Sequence, residues 1–490
     1  MLKGEPKLAL TFDDVLLIPG ASAVMPSEVD LKSKFTTDIT LNIPVASAAM
    51  DTVTEADTAI SVAREGGIGV LHRSMSPEDQ ASEVEKVKRA QSAMIRNPVV
   101  AAPTMKVGEA IRMASEKNIT GIPVLDQDKK VLGIVTNRDL RFQQDLNQTI
   151  GDIMTKDVIT ISEKTSAQEA RELMHQHRIE KLVVTDKNNT LVGLMTFKDM
   201  EQRSNFPNAN LDQYEQLRVA AAVGTDAITD DRVQALVDAG VDAIIVDTAH
   251  GHSQRVIDTV KRVRDNHPKL QLVAGNIATA EAAKALIDVG VNALKVGIGP
   301  GSICTTRVVA GIGVPQLTAI ADVVAAAKPA GIPVIADGGI KQSGDIVKAL
   351  AAGADSVMLG SLLAGTEEAP GERMLYKGRA YKSYRGMGSM GAMQKGSRDR
   401  YFQDNIDEFD LEQKLVPEGI EGRVPYRGSV ANNLFQLMGG LKAGMGYVGA
   451  PELSRLYKNS TFVRTTSAGL RENHPHDIEI TREAPNYRPN

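Results

Sequence analysis

The segment Gly297–Arg307, GIGPGSICTTR, holds the only cysteine of the chain, Cys304. Three glycines and a proline within five residues force a tight loop whose amides and carbonyls lie bare to a ligand or ion. A lone cysteine is commonly a small buried hydrophobe. Here Ser302, Thr305, Thr306 and Arg307 make the setting polar and cationic, which favours the thiolate and therefore a nucleophile.

Two further loops suit phosphate. IPVIADGGI (332–340) and GADSVMLGS (353–361) each close an apolar run with small residues, and Gly338, Gly339, Gly360 and Ser361 would offer backbone donors. Asp337 suits a pair of ribose hydroxyls, or else caps the following helix. Asp247 in IIVDTAHGHS and Asn276 in VAGNIAT face the same mouth from the other side, where a second ligand could lie. No GxGxxG opens a nucleotide-binding βαβ unit, so a dinucleotide would have to bind across that mouth. His250 and His252 lack a third ligand at zinc spacing, which argues against zinc. In YRGMGSMGAM (384–393) and DRYFQ (399–403), Arg400 beside Tyr401 could activate water in a dried site. An arginine base is unusual, its free pKa being above ~12, and an anion contact or solvated face is the alternative.

Short apolar runs alternate with helical patterns rich in Ala, Glu and Lys, the rhythm of a parallel sheet. Strand ends are expected at 45–47, 68–70, 219–223, 244–247, 272–275, 294–297, 334–337 and 357–360, eight in all, which predicts an α/β fold of the (β/α)8 TIM-barrel type. The barrel would occupy residues 1–91 and 216–490. Residues 92–215 are too long for a barrel loop and read as an inserted domain. Within it, NITGIPVLDQDKKVLGIVTNRDL from Asn118 matches RIEKLVVTDKNNTLVGLMTFKDM from Arg178 at an offset of 60 residues, two copies of one unit (about 93–152 and 153–215). A second excursion, about 367–428, is Gly-rich and polar and reads as a lid or flap rather than core, or else a surface embellishment.

The chain has 490 residues, a formal net charge of -5, no Trp and few Phe or Tyr, which argues against a dedicated nucleic-acid site. One cysteine cannot form an internal disulfide, the acidic N-terminus is unlike a signal peptide, and no apolar stretch is long enough for a membrane helix. A cytoplasmic protein without membrane partners is expected.

Taken together, LTFDDVLLIPG, SAAMDTVTE, GGIGVLHR, GPGSICTTR, ADGGI, GADSVMLGS, YRGMGSMGAM, DRYFQ and VPEGIEGRVPYRG resemble the inosine 5'-monophosphate (IMP) dehydrogenases over essentially the whole chain. The resemblance implies NAD-dependent oxidation of IMP to xanthosine 5'-monophosphate, the committed step of guanine nucleotide synthesis. It implies that Cys304 attacks purine C2 and forms a thioimidate, and that Arg400, helped by Tyr401 and Thr306, then activates water. By the same carry-over, IMP contacts Ser302, Asp337, Gly338, Gly339, Gly360, Ser361, Tyr384, Arg385, Gly386, Met387, Gly388 and Glu418, while NAD faces Asp247, Asn276, Gly297, Ile298 and Gly299. A potassium ion is implied on Gly299, Gly301 and Cys304, completed by Glu472, Asn473 and His474 of a neighbouring subunit; bacterial relatives usually have Ser where Asn473 stands.

The repeats resemble tandem CBS domains, with Thr136 and Asp139, and Thr196 and Asp199, matching a Thr-x-x-Asp pattern that implies a regulatory purine-nucleotide site; a purely structural pair is the alternative. A homotetramer is implied, and an octamer could form through the CBS domains. Guanosine monophosphate reductase shares the Cys-Thr-Thr loop but normally lacks the insert and the Arg-Tyr flap, so it is the expected loser. A catalytically inactive nucleotide-sensing barrel is disfavoured by the intact Cys304, Thr306, Arg400 and Tyr401.

Overall fold

The computed structural model describes residues 5–91, 94–95, 98–117, 119–163, 165–197, 205–404 and 414–487. Internal contacts divide the chain into two compact units, one of Met1–Lys88, Asn208–Asn210 and Leu217–Asn490, the other of Arg89–Pro207 and Leu211–Gln216.

In the first unit eight parallel strands run β1 (Val45–Ser47), β2 (Gly69–Leu71), β3 (Val219–Val223), β4 (Ala243–Asp247), β5 (Gln271–Ile277), β6 (Ala293–Val296), β7 (Val334–Asp337) and β8 (Ser356–Leu359). Their order in the sheet is β1-β8-β7-β6-β5-β4-β3-β2, and a parallel bridge between Ala46 and Ile68 closes the ring. The eight-stranded barrel expected from the sequence is the one observed. Strands such as β3 (VAAAV) are buried at every position because helices cover the outer face while the barrel interior receives the inner one. The helix Gln254–Asn266 shows the outer half of this pairing: it buries Val256, Thr259, Val260 and Val263, one stripe of a helical period, and Ser253 caps its start.

The interior is filled by small and branched side chains, including Ala222, Ala243, Ile245, Val273, Ala293 and Ile335, and these join Phe35, Ile39 and Leu41 of the segment before β1. Successive residues of a strand alternate faces, so the inward set continues upward: Ala243 and Ile245 lead to Asp247, Ala293 to Lys295, and Ile335 to Asp337. Strand geometry alone thereby puts three charged side chains into the mouth of an apolar barrel.

The excursion after β8 leaves and returns at one point, where Thr366 pairs with Gly428. Its strands β9 (Arg373–Tyr376), β10 (Arg379–Arg385) and β11 (Glu421–Pro425) form an antiparallel sheet in the order β9-β10-β11. Although its composition suggests a solvated flap, Met387, Ser389, Ala392, Met393, Ser397 and Asp399 are buried. The glycines between them let the turns settle closely, and side chains such as Ser397 satisfy backbone groups, its Oγ donating to the Met387 carbonyl at 2.5 Å.

The second unit carries the repeat. Strands Gly121–Leu125 and Val131–Thr136 recur as Lys181–Thr185 and Leu191–Thr196, and each pair is antiparallel. One small core forms around Ile122, Val124 and Val135 and another around Leu182, Val184 and Met195. A third cluster, Val131, Ile134, Val183 and Leu194, joins the copies, and their turns exchange hydrogen bonds from Val131 N to Asn189 O (3.1 Å) and Leu191 N to Lys129 O (3.2 Å). Among the described residues no helix is long and apolar enough to cross a membrane.

Phe35 is fully buried with the barrel interior. Replacement by Ala should cost about 3–5 kcal/mol through lost burial and the cavity left behind, read as a lowered urea midpoint with an unchanged slope.

Candidate active site

The C-terminal ends of the strands surround a cavity of ≈ 290 Å³. That volume is at the lower end of the range for small-molecule sites, room for one ligand rather than two. Cys304, Thr306, Arg400 and Tyr401 line it, and so do Ser302, Asp337, Gly338, Gly339, Gly360, Ser361, Tyr384 and Met387. Asp247, Asn276, Gly297, Ile298, Gly299 and Gly301 complete one wall.

Cys304 is half-buried on the loop after β6. Its thiol donates to Thr306 Oγ1 at 3.2 Å, and the Thr306 hydroxyl donates to Glu418 Oε2 at 2.6 Å. The hydroxyl has one proton to give, so the three groups form a directed relay from sulfur to carboxylate. Backbone pairing keeps it in register: Thr305 N donates to Glu418 O (2.9 Å) and Ile420 N to Ile303 O (2.9 Å). Glu418, implied as a purine contact, is thus also the end of this relay. Arg307, expected to bias the cysteine, lies close enough to interact electrostatically with Cys304 and also donates to the carbonyls of Ile298 (3.2 Å) and Val314 (2.6 Å), bracing the loop.

On the far wall the Lys295 ammonium is 2.8 Å from Asp247 Oδ1 and 2.6 Å from Asp337 Oδ2. Arg400 pairs with the other Asp247 oxygen. Burial would push the Asp247 carboxyl up, but Arg400 and Lys295 outweigh it and hold it at about 2. Burial alone would lower the Arg400 guanidinium, yet Asp247 raises it above its ordinary range and it stays charged. The Tyr401 phenol is pushed up to about 12, mainly by burial and against the pull of Arg400, and is neutral at ordinary pH. Tyr384 is raised by burial in the same way.

The glycine loops after β7 and β8 lie on the cavity wall. Gly338 and Gly339 adopt φ of +91° and +79°, which turns the chain back over the mouth at a position where a side chain would be strained. Gly360 precedes the short helix Ser361–Ala364. Asn276 Nδ2 donates to Gly297 O (2.7 Å) and Asp337 Oδ2 (3.0 Å), while its buried Oδ1 has no hydrogen-bond partner among the described residues.

Other expected residues lie outside the lining. Arg385 forms a bidentate pair with Asp51 of the loop after β1, and Gly386 N donates to Ile420 O (3.0 Å), so both fix the floor of the flap. Gly388 packs against Tyr401. Glu472, Asn473 and His474 are exposed at the end of the helix Ser467–Glu472 and do not line this chain's cavity. In the second unit the Asp139 carboxylate accepts from Thr136 N (2.8 Å) and Oγ1 (2.7 Å), capping a short helix; Thr196 ends its strand, and Asp199 lies outside the described residues. Sequence reasoning missed Lys295, whose signal was a lysine on the inward alternation of a buried strand, and Asp51, Arg73 and Arg255, whose partners are remote.

The Asp247 carboxyl is depressed from 3.8 to about 2, so its pairing contributes stability that is complete above about pH 4 and is lost as pH falls toward 2. The stability gap between wild type and Asp247→Asn, measured by urea unfolding across pH, should narrow by about 2 kcal/mol over that window and stay level above it.

Residues 9–476 match the family described as "IMP dehydrogenase / GMP reductase domain". The inosine-5'-monophosphate dehydrogenase of Halalkalibacterium halodurans is 56% identical over 482 residues, 98% of each chain. That of Aquifex aeolicus is 56% identical over 493 residues, 99% of each. A crystal structure of a cysteine-to-alanine variant of GMP reductase from Trypanosoma brucei, in complex with guanosine 5'-monophosphate, superposes with a TM-score of 0.87 at 40% identity and covers 97% of this chain and 99% of its own. Because that coverage leaves no room to omit the second unit, the insert does not separate dehydrogenases from reductases as the sequence suggested. The chain belongs to the IMP dehydrogenase / GMP reductase family.

Proposed function

We propose that the protein oxidises inosine 5'-monophosphate with NAD to xanthosine 5'-monophosphate, in two steps on Cys304. The observation that carries this reading is the relay Cys304–Thr306–Glu418, whose first two members line one small cavity together with Arg400 and Tyr401. A reductase is the weaker reading, since the full-length relatives at 54–56% identity are dehydrogenases and the Arg-Tyr pair has a use only where water must be activated.

IMP would place its phosphate on the donors of Ser302, Gly339, Gly360, Ser361 and Tyr384 and its ribose on Asp337. The relay draws the thiol proton toward Glu418 as the sulfur adds to purine C2. When bound, NAD accepts the hydride leaving C2; the orphan Asn276 Oδ1 and Asp247 suit a cofactor carrying amide and hydroxyl donors. The thioimidate then left on Cys304 needs water. Because Asp247 keeps Arg400 charged in this arrangement, the guanidinium orients and polarises that water, with Nε as a donor that has no partner among the described residues. Glu418, having released the thiol's proton to solvent, accepts one water proton through Thr306 and returns it along the relay to the departing sulfur. C2 gains oxygen as the C2–S bond breaks, the second water proton stays on the purine, and the thiol is restored.

The carbonyls of Gly299, Gly301 and Cys304 on a tight loop suit a hard alkali cation such as potassium, with Glu472, Asn473 and His474 supplied by a neighbouring subunit of a homotetramer. Bound there, the ion would order the loop that carries the sulfur. The second unit suits a purine-nucleotide effector, and assembly through it would give octamers. A cytoplasmic location fits this chemistry.

Rapid mixing with IMP, NAD and potassium chloride, followed by NADH absorbance, tests the assignment. Cys304→Ala should abolish both the NADH burst and turnover. Arg400→Ala should keep the burst while turnover falls about a hundredfold or more. Turnover with guanosine monophosphate and NADPH, and none with IMP, would overturn the dehydrogenase reading.

A further inference from the structure

We propose that Arg73 is a positioning residue for the hydrolytic step, holding the Arg400–Tyr401 turn over Cys304 through the neighbouring Asp399; this rests on reading Arg400 and Tyr401 as the water-activating pair. Arg73 lies just beyond β2, and its Nη2 donates to Asp399 Oδ1 at 2.6 Å across 326 residues of sequence. The second Asp399 oxygen accepts from Thr225 N at 3.4 Å, and Arg73 Nη1 is 4.0 Å from Asp226 Oδ2. Both partners are almost dry, at 6% and 4% side-chain exposure.

Such a pair is tolerated only when complete, because a single buried charge keeps its desolvation cost without the compensating attraction. Asp399 is buried only while the turn is seated. With the turn lifted, Asp399 and Arg73 regain water and the cost disappears. Deleting one partner therefore penalises the seated state alone and shifts the turn away from Cys304. Gly224, just after β3, points to the same contact independently. Its φ is not in the left-handed region, so its backbone suits any residue, yet a Cβ there would overlap the Asp399 carboxylate and lie 2.7 Å from Arg73 Nη1. The glycine makes space for this ion pair. At the other end of the turn Arg255 Nη2 donates to Asp404 Oδ2 at 2.6 Å, so loss of the Arg73 contact loosens the turn rather than releasing it.

The full-length variants Arg73→Met, Asp399→Asn and Gly224→Ala perturb this contact from three directions, and Gly224→Ala removes no polar group should a charge variant fail to fold. At saturating IMP and NAD, each should keep the wild-type NADH burst while steady-state turnover falls about tenfold, a shift of the seated population worth one decade. Acid quenching and mass spectrometry should show the Cys304–purine adduct accumulating. Arg73→Lys should recover part of the loss, and Arg73→Met with Asp399→Asn should be no slower than the slower single change. Equal loss of burst and turnover, unchanged turnover in all three, or full additivity of the charge variants would overturn the proposal. Arg400→Ala run alongside separates the causes. If it stalls hydrolysis while the three variants do not, only the role of Arg73 is wrong; if it hydrolyses normally, the underlying reading of the pair has failed and takes the proposal with it.

Discussion

Lys295 is a fully buried ammonium held between two carboxylates, Asp247 at 2.8 Å and Asp337 at 2.6 Å, on top of an otherwise apolar barrel. None of the three could occupy that layer alone, since an isolated charge out of water is neutralised or expelled. Together they fix two carboxylates on the wall of one cavity: Asp337 also accepts from Asn276, and Asp247 pairs with Arg400 of the flap. The strands supply the spacing at no added strain, because each charged residue continues an inward alternation begun by Ala243, Ala293 and Ile335.

The flap is fitted to this mouth by charge. Its cation, Arg400, meets Asp247; its acids, Asp399 and Asp404, meet Arg73 and Arg255. Apolar contacts add to the seating, as Met387 and Met393 are buried. The segment is therefore polar in composition yet partly core, a combination available because each buried charge finds an opposite one. An element held by ion pairs that both regain water on opening is one that can open, whereas a wholly apolar element would resist.

The barrel was legible because its signal is local. Each strand is an apolar run ended by small or polar residues, and all eight ends, from 45–47 to 357–360, fall within two residues of where they are expected. The repeat was legible for a similar reason, as identical spacing at an offset of 60 residues needs no knowledge of packing. Cys304 and the glycine loops announced themselves by composition. What composition does not carry is pairing across the fold. Arg73 and Asp399 are 326 residues apart, and Arg385 and Asp51 are 334 apart, so nothing local marks either as a partner. Glu418 is the sharpest case: its string supported the family resemblance, but only the fold shows that its carboxylate takes the Thr306 proton. The burial of the flap was misjudged because glycine and polar content normally mean solvent, and here they mean close approach with matched charges.

The charge count at the mouth gives a physical reason for two steps in fixed order. Lys295, Asp247 and Asp337 together carry one net negative charge, and Arg400 brings the sum to zero. With the flap withdrawn, one cation is wanted. On the proposed reading an oxidised nicotinamide ring meets that need while it waits to accept hydride, and loses its positive charge in doing so. The reduced ring then leaves the Asp247–Lys295–Asp337 group unbalanced again, which favours its replacement by Arg400. On the same reading the electrostatic vacancy accepts first the oxidant and then the residue that handles water: the thioimidate that water attacks exists only once hydride has left C2, and Asp247 pairs with only one of the two cations at a time.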